Sequence, residues 1–101
     1  MEEQRKVADF VTEYDLETPP EFRLLDLVSE VGELAKDANT ATDYGESPAD
    51  LEIATDELGD ALFALLALAD ALEIDASTAL EEAIEKYDRR LDGNATPGSG
   101  E

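Results

Sequence analysis

The sequence predicts an all-α fold, a four-helix bundle-like domain. Three observations predict it. Apolar residues recur at three- and four-residue spacing along most of the chain. Two of these stretches are preceded by helix-start signatures, Thr18-Pro19-Pro20-Glu21 and Ser47-Pro48-Ala49-Asp50. No stretch alternates apolar and polar residues as a half-buried strand does.

The elements follow in order. Residues 2–14 carry Val7, Phe10, Val11 and Tyr14, the i, i+3, i+4, i+7 stripe of an amphipathic helix. A second helix starts at the Thr18 signature, with Thr18 as cap, Pro19 in the first helical position and Glu21 completing a capping box. It runs to about Thr42 and places Leu24, Leu27, Val28, Val31, Leu34 and Ala35 on one face. The segment "DYGESP" is a loop. The Ser47 signature starts a third helix that runs to about Glu73, and Asp75 opens a fourth that ends near Leu91. Residues 1–92 thus form one domain, and the Gly, Pro and Ser content of 93–101 reads as a disordered tail. From Ala61 to Ala69 the third helix is apolar on every side, which requires burial on every side. A chain this short covers a modest fraction of its surface. The third helix is therefore expected to lie partly in an interface with another copy, in a homo-oligomer.

Composition narrows the chemistry. There is no Cys and no His, which removes disulfides, thiolates, the usual general base and the usual zinc ligand. The longest apolar run is too short to span a bilayer, which takes about 20 residues. No basic stretch followed by an apolar one marks a signal peptide at the N-terminus. The reading is a soluble, cytoplasmic domain. Lys and Arg number 7 and Asp and Glu 27, a net charge of -20. That balance opposes binding to nucleic acid through phosphates. The excess acid fits either adaptation to high salt, a halophilic surface whose repulsion counterions screen, or a dedicated acidic partner surface. Its spread along the whole chain favours salt adaptation.

Against this acidic background, two carboxylate pairs stand apart: Glu30 and Glu33 in "SEVGELAKD", and Glu57 and Asp60 in "DELGD". Spacing alone means little, since Asp43/Glu46, Asp70/Glu73 and Glu82/Glu85 share it. Context separates the two pairs. Each surrounds a glycine, Gly32 or Gly59, which costs about 1 kcal/mol in a helix interior relative to Ala and suggests close approach of backbone or ligand. At about 100° per residue, Glu57 points the same way as Ile53, Ala61, Ala64 and Leu68, a core-facing stripe. A carboxylate there is costly unless paired or bound to metal. Finally, both pairs lie at a similar level, roughly 14 Å from the turn of an antiparallel hairpin. Glu33 then faces Glu57, and Glu30 faces Asp60. Four converging carboxylates repel unless a cation sits among them. An all-oxygen ligand set suits a hard cation, magnesium or manganese, that keeps positions open for a phosphate.

"LVSEVGELAKD", then "DELGDALFALLALADALEID", then "EKYDRR" resemble the MazG-like branch of the all-α nucleoside triphosphate pyrophosphatases. The resemblance covers about residues 20–91. It rests on a Glu-x-x-Glu on one helix and a Glu-x-x-Asp on the next, in order and in the expected Gly, Leu and Ala surroundings. It implies the MazG fold and hydrolysis of a nucleoside triphosphate between the α and β phosphates, giving monophosphate and pyrophosphate. It further implies that Glu30, Glu33, Glu57 and Asp60 hold magnesium, and that the chain forms dimers or tetramers. Many members carry a second Glu where this chain has Ser29, so activation of water falls to Glu30 or to a metal-bound hydroxide.

Phosphate also needs positive charge. Lys86, Arg89 and Arg90, clustered at the end of the fourth helix, are the candidates, with Lys36 a weaker one. Helix-dipole complementation in a last turn is their alternative role. Tyr14, Phe22 and Tyr44 can stack a base, though packing is the expected role of each. The leading function is a magnesium-dependent nucleotide pyrophosphohydrolase, one that cleans nucleotide pools by removing noncanonical or surplus deoxynucleotides. Phosphoribosyl-ATP pyrophosphohydrolase is a neighbouring possibility. The alternative from another class is a non-enzymatic acidic helical module, a partner-binding dimer or nucleic-acid mimic, favoured by Ser29 and the sparse cations.

Overall fold

The computed structural model describes residues 1–93, and the expected tail beyond Gly93 lies outside them. The described chain is helical, with no strand among these residues: α1 (Glu2–Glu13), α2 (Pro20–Ala41), a 3-10 turn (Pro48–Asp50), α3 (Thr55–Ala71) and α4 (Ala76–Asp92). No helix among the described residues is long and apolar enough to cross a membrane.

α1 packs on α3 through the periodic stripe that defined it. Val7 and Val11 are buried together with Leu66 and Ala67, and Phe63 and Ala76 pack against that cluster. Phe10 meets Phe63 edge-on at 5.8 Å between ring centroids and Tyr14 at 4.8 Å. A charged or short side chain at Leu66 would empty the centre of this small core. The Gln4 side chain ties α1 to the α3–α4 turn: its amide nitrogen donates to the Ile74 carbonyl, and its oxygen accepts from the Ala76 N–H, both at 2.8 Å. Asp75 caps α4 by accepting from the Ser77 N–H at 2.9 Å.

α2 and α3 form the hairpin that carries the motif carboxylates. α2 starts one residue later than the sequence signature suggests. Pro19 takes the N-cap position and Pro20 the first helical one, and no side chain caps the helix. Thr18 therefore does not cap, because two consecutive prolines fix the entry by their own φ restriction. α2 ends in a tightly bonded reversal. The buried Thr42 hydroxyl donates to the Ala38 carbonyl (2.7 Å) and accepts from the Gly45 N–H (3.1 Å), and the Thr42 carbonyl accepts from Ser47 (2.8 Å). Asp43, Tyr44 and Gly45 all adopt left-handed φ, 52°, 56° and 91°. That succession turns the chain back on itself within one turn of α2's end.

The third helix is shorter than expected. The Ser47 signature produces only a 3-10 turn, after which Leu51 (ψ 128°) and Ala54 (ψ 138°) are extended. α3 begins at Thr55, where Asp56 and Glu57 fill the first turn and meet its positive dipole end. Glu57 is thus in the first turn of α3, not about nine residues along it, and the equal-distance argument for the two pairs does not hold. The antiparallel register itself brings the pairs together, as described below.

Few residues are buried. They are Val7, Val11, Thr42, Ala61, Ala64, Leu66 and Ala67 among the described residues. The apolar face expected on α2 is only partly covered: Leu24, Val28, Val31 and Ala35 are exposed, while Leu27 and Leu34 are half-buried. Within Ala61–Ala69, Leu62 and Leu65 are about half exposed. Tyr44 is 78% exposed, so the packing role expected for it is not met within one chain. Phe22 and Tyr14 are also exposed.

Leu66 is the largest side chain of the core at 4% exposure. Leu66→Ala should lower the unfolding free energy by about 2–5 kcal/mol, through lost burial and the cavity left behind. Chemical denaturation measures this; a loss below about 1 kcal/mol would show that this cluster is not the core.

Candidate metal centre

One ridge of α2 faces α3 and carries Arg23, Asp26, Glu30, Glu33 and Asp37, alternating three- and four-residue steps. The facing ridge of α3 carries Glu57, Asp60 and Ala64. The two run antiparallel. Glu33 and Asp37 meet Glu57 at the end near the loop. Glu30 and Asp60 share a groove with Arg23, Asp26, Phe63 and Ala64 further along. The helical period thus converts two short motifs into a continuous acidic seam between two helices.

At the loop end, carboxylate oxygens of Glu33, Asp37 and Glu57 all lie within 4.8 Å of one another. Glu33 is exposed, and Asp37 and Glu57 are half-buried. Glu57 Oε2 is buried and has no hydrogen-bond partner. A buried acceptor without a donor is costly and calls for a cation or a proton. Without a cation the same crowding favours the protonated acid. A hydrogen bond with Asp37, desolvation, and the charges of Asp37, Glu33 and Asp56 push Glu57 up to about 7. A hydrogen bond between Asp37 and Glu57 forms only when one of the two carboxyls is protonated, since two carboxylates have no donor between them. The donor set is all oxygen, with one carboxylate primed to exchange its proton for a metal, which fits magnesium or manganese.

The other sequence candidates are placed as follows. Glu30 is half-buried and Asp60 exposed, both on the groove of about 310 Å³ next to the cluster. Lys36 is exposed on α2. Lys86 sits over the Tyr87 ring, 5.1 Å from its centroid, and Arg89 and Arg90 occupy the last turn of α4. Gly32 and Gly59 do not mark a close approach within the chain: an added Cβ at either meets nothing within 4 Å.

Two residues escaped the sequence reading. Asp37 lies one turn beyond Glu33 on the same ridge, and the i, i+4 step from Glu33 was the signal that pointed to it. Arg23 lies one turn and then two turns before Asp26 and Glu30 on that ridge, and its local sequence carries no sign of it.

The MazG nucleotide pyrophosphohydrolase domain family matches residues 19–93, most of the chain and all of the acidic seam. A similar protein is "Uncharacterized protein YpjD" of Bacillus subtilis (strain 168), 37% identical over 68 residues. The match covers 63% of this chain and 60% of that protein, so this chain spans less than two thirds of its relative's length. No solved structure matches.

The raised Glu57 predicts a pH signature. Between about 4.5 and about 7 the folded, metal-free chain holds a proton on Glu57 that the unfolded chain has released. Its contribution to stability is therefore full below about 4.5 and lost as pH rises through about 7. Glu57→Gln removes the titration. The difference in melting temperature between wild type and Glu57→Gln, without metal, should shift in favour of the variant from pH 5 to pH 8. A difference that stays constant over that range would show that Glu57 titrates normally.

Proposed function

The chain belongs to the MazG nucleotide pyrophosphohydrolase family, and on that footing we propose that it hydrolyses a nucleoside triphosphate at the α phosphorus, releasing monophosphate and pyrophosphate with magnesium as cofactor. The observation that carries this reading is the buried, unpartnered Oε2 of Glu57 within a three-carboxylate cluster, next to a groove lined by the remaining motif carboxylates. Glu33, Glu57 and Asp60 hold the ion with Glu30, and Asp37 joins them at the loop end. When bound, magnesium lowers the pKa of an attacking water and neutralises phosphate charge. Glu30, half-buried on the groove wall, accepts the proton of that water as its oxygen bonds to the α phosphorus. The α–β bridging oxygen departs with the pyrophosphate, and the site's cations take up the charge that develops on it. Ser29 stands where many relatives place a second Glu, which leaves Glu30 as the chain's own base at this position. Removal of noncanonical or surplus deoxynucleotides is the proposed use of the reaction.

Assembly belongs to the same reading. The exposed Leu24, Val28 and Val31 of α2 and Leu62 and Leu65 of α3 are covered in a homo-oligomer, a dimer or tetramer. The open space over Gly32 and Gly59 admits a neighbouring backbone there. Lys86, Arg89 and Arg90, at the end of α4, are the candidates to meet the phosphates, in a site shared with a second copy. The charge of -20 makes high salt the working condition of this assembly.

Incubation with a nucleotide panel and magnesium, read as pyrophosphate release, tests the activity; no turnover of any triphosphate at low or high salt rejects it. Glu57→Gln keeps the side chain's size and should lower turnover by about two orders of magnitude or more, since a lost ligand misplaces the ion that activates water. Glu82→Gln, exposed on α4, should stay within about twofold of wild type. Equal losses in both variants would make the acids structural. Saturating magnesium should raise the melting temperature by about 5 °C or more beyond sodium chloride at equal ionic strength. Equal shifts would leave no specific site.

A further inference from the structure

We propose that Arg23 anchors the terminal phosphates of the substrate, the part released as pyrophosphate, at the far end of the acidic seam. The inference rests on the pyrophosphohydrolase reading above and assigns to that site a residue outside both carboxylate motifs.

The placement comes first. Arg23 begins the α2 ridge that continues through Asp26, Glu30, Glu33 and Asp37, and it lines the same groove as Glu30 and Asp60. From Glu30 to Arg23 is about 10 Å along the helix axis, along the groove that both line. None of the sequence candidates for phosphate binding, Lys36, Lys86, Arg89 and Arg90, lines this groove.

The second argument is how the side chain is held. Its relative exposure is 11%, unusually low for an arginine in a chain with so little burial. It lines a small cavity between α1 and α3 together with Val11, Glu17, Thr18, Ala67 and Asp70. One terminal nitrogen donates to the Leu16 carbonyl, just before α2. The other stands 4.0 Å from Asp26, which is 61% exposed, too far for a hydrogen bond. The guanidinium is therefore held through the Leu16 carbonyl, and its one ion pair among the described residues, with Asp26, is long and without a hydrogen bond. A planar fork held rigid, with donors still to satisfy, suits bidentate binding of a phosphate.

The bland alternative is a clasp that only secures the Leu16 carbonyl. Substitution separates the two. Arg23→Gln retains an amide donor for that carbonyl and loses the charge and the fork. Arg5→Gln on α1, exposed and away from the seam, is the charge-matched control. Full-length variants are titrated with pyrophosphate and, separately, with a nucleoside monophosphate, with magnesium present, and KM is measured on whichever triphosphate the wild type turns over. Arg23→Gln should weaken pyrophosphate about tenfold or more, as expected for a lost charge-assisted contact. It should raise KM for triphosphate, leave monophosphate affinity within about twofold, and keep the metal-free melting temperature within a few degrees.

Pyrophosphate affinity no lower than in Arg5→Gln overturns the proposal while the enzymatic reading stands. Equal weakening of monophosphate and pyrophosphate overturns it as well, because Arg23 then has no preference for the terminal phosphates. Should Arg23→Gln fail to fold, Arg23→Lys decides. It keeps the charge without the fork and should lose several-fold in pyrophosphate affinity, and unchanged affinity contradicts the assignment. A wild-type chain that neither binds pyrophosphate nor turns over any triphosphate removes the enzymatic reading and Arg23's role with it.

Discussion

Everything in this molecule is organised around like-charge repulsion concentrated along one helix pair. α2 and α3 place their carboxylates on facing ridges, and three of these come within 4.8 Å at the loop end. Such an arrangement is unfavourable without a compensating charge. The chain's own answer is a proton on Glu57, held by Asp37 and by burial of one oxygen. On the proposed reading a divalent cation replaces that proton, so repulsion among the seam's carboxylates becomes affinity for the ion. The turn after α2 fixes the geometry: Thr42, buried and twice hydrogen-bonded through its hydroxyl, holds the reversal that sets Asp37 against the first turn of α3.

The apolar side of the structure is correspondingly thin. A cluster of valine, leucine and alanine joins α1 to α3, and no residue of α2 or α4 counts among the buried core. Two helices of this length with no buried side chain are poorly stabilised by one chain alone, since helix stability in proteins comes mainly from packing of an apolar face. The exposed leucines and valines on α2 and α3, and the open space above Gly32 and Gly59, are what a second copy fills on the proposed reading. Metal binding and assembly then act on the same hairpin, one on its polar seam and the other on its apolar back.

Much of the fold was legible because helices write their period into sequence. Val7 and Val11 announced the buried face of α1, and Asp75 announced the cap of α4. Start signals were less reliable. Thr18 yielded to the prolines beside it, and Ser47-Pro48 made only a 3-10 turn because the chain turns extended at Leu51. That error moved the start of α3 and spoiled the distance argument for the carboxylates, although antiparallel register still sets Glu33 by Glu57. Asp37 was missed because a motif was sought in pairs rather than along a ridge. Arg23 was missed because its burial, which gives it meaning, depends on α1 and α3 packing around its stem, and no local pattern records that. The two glycines misled for the opposite reason: local cost was visible, but nothing among the described residues comes close to either.

The central claim is that the α2–α3 seam is a specific cation site and not part of a diffuse acidic surface. Titration of the metal-free protein with substoichiometric manganese, followed by two-dimensional NMR of the backbone amides, tests it most directly. The account predicts that paramagnetic broadening appears first at the amides around Glu33, Asp37, Glu57 and Asp60, with α4 and the α1 acids affected only at much higher metal. Broadening spread evenly over acidic residues on all four helices, or strongest on α4, would contradict it.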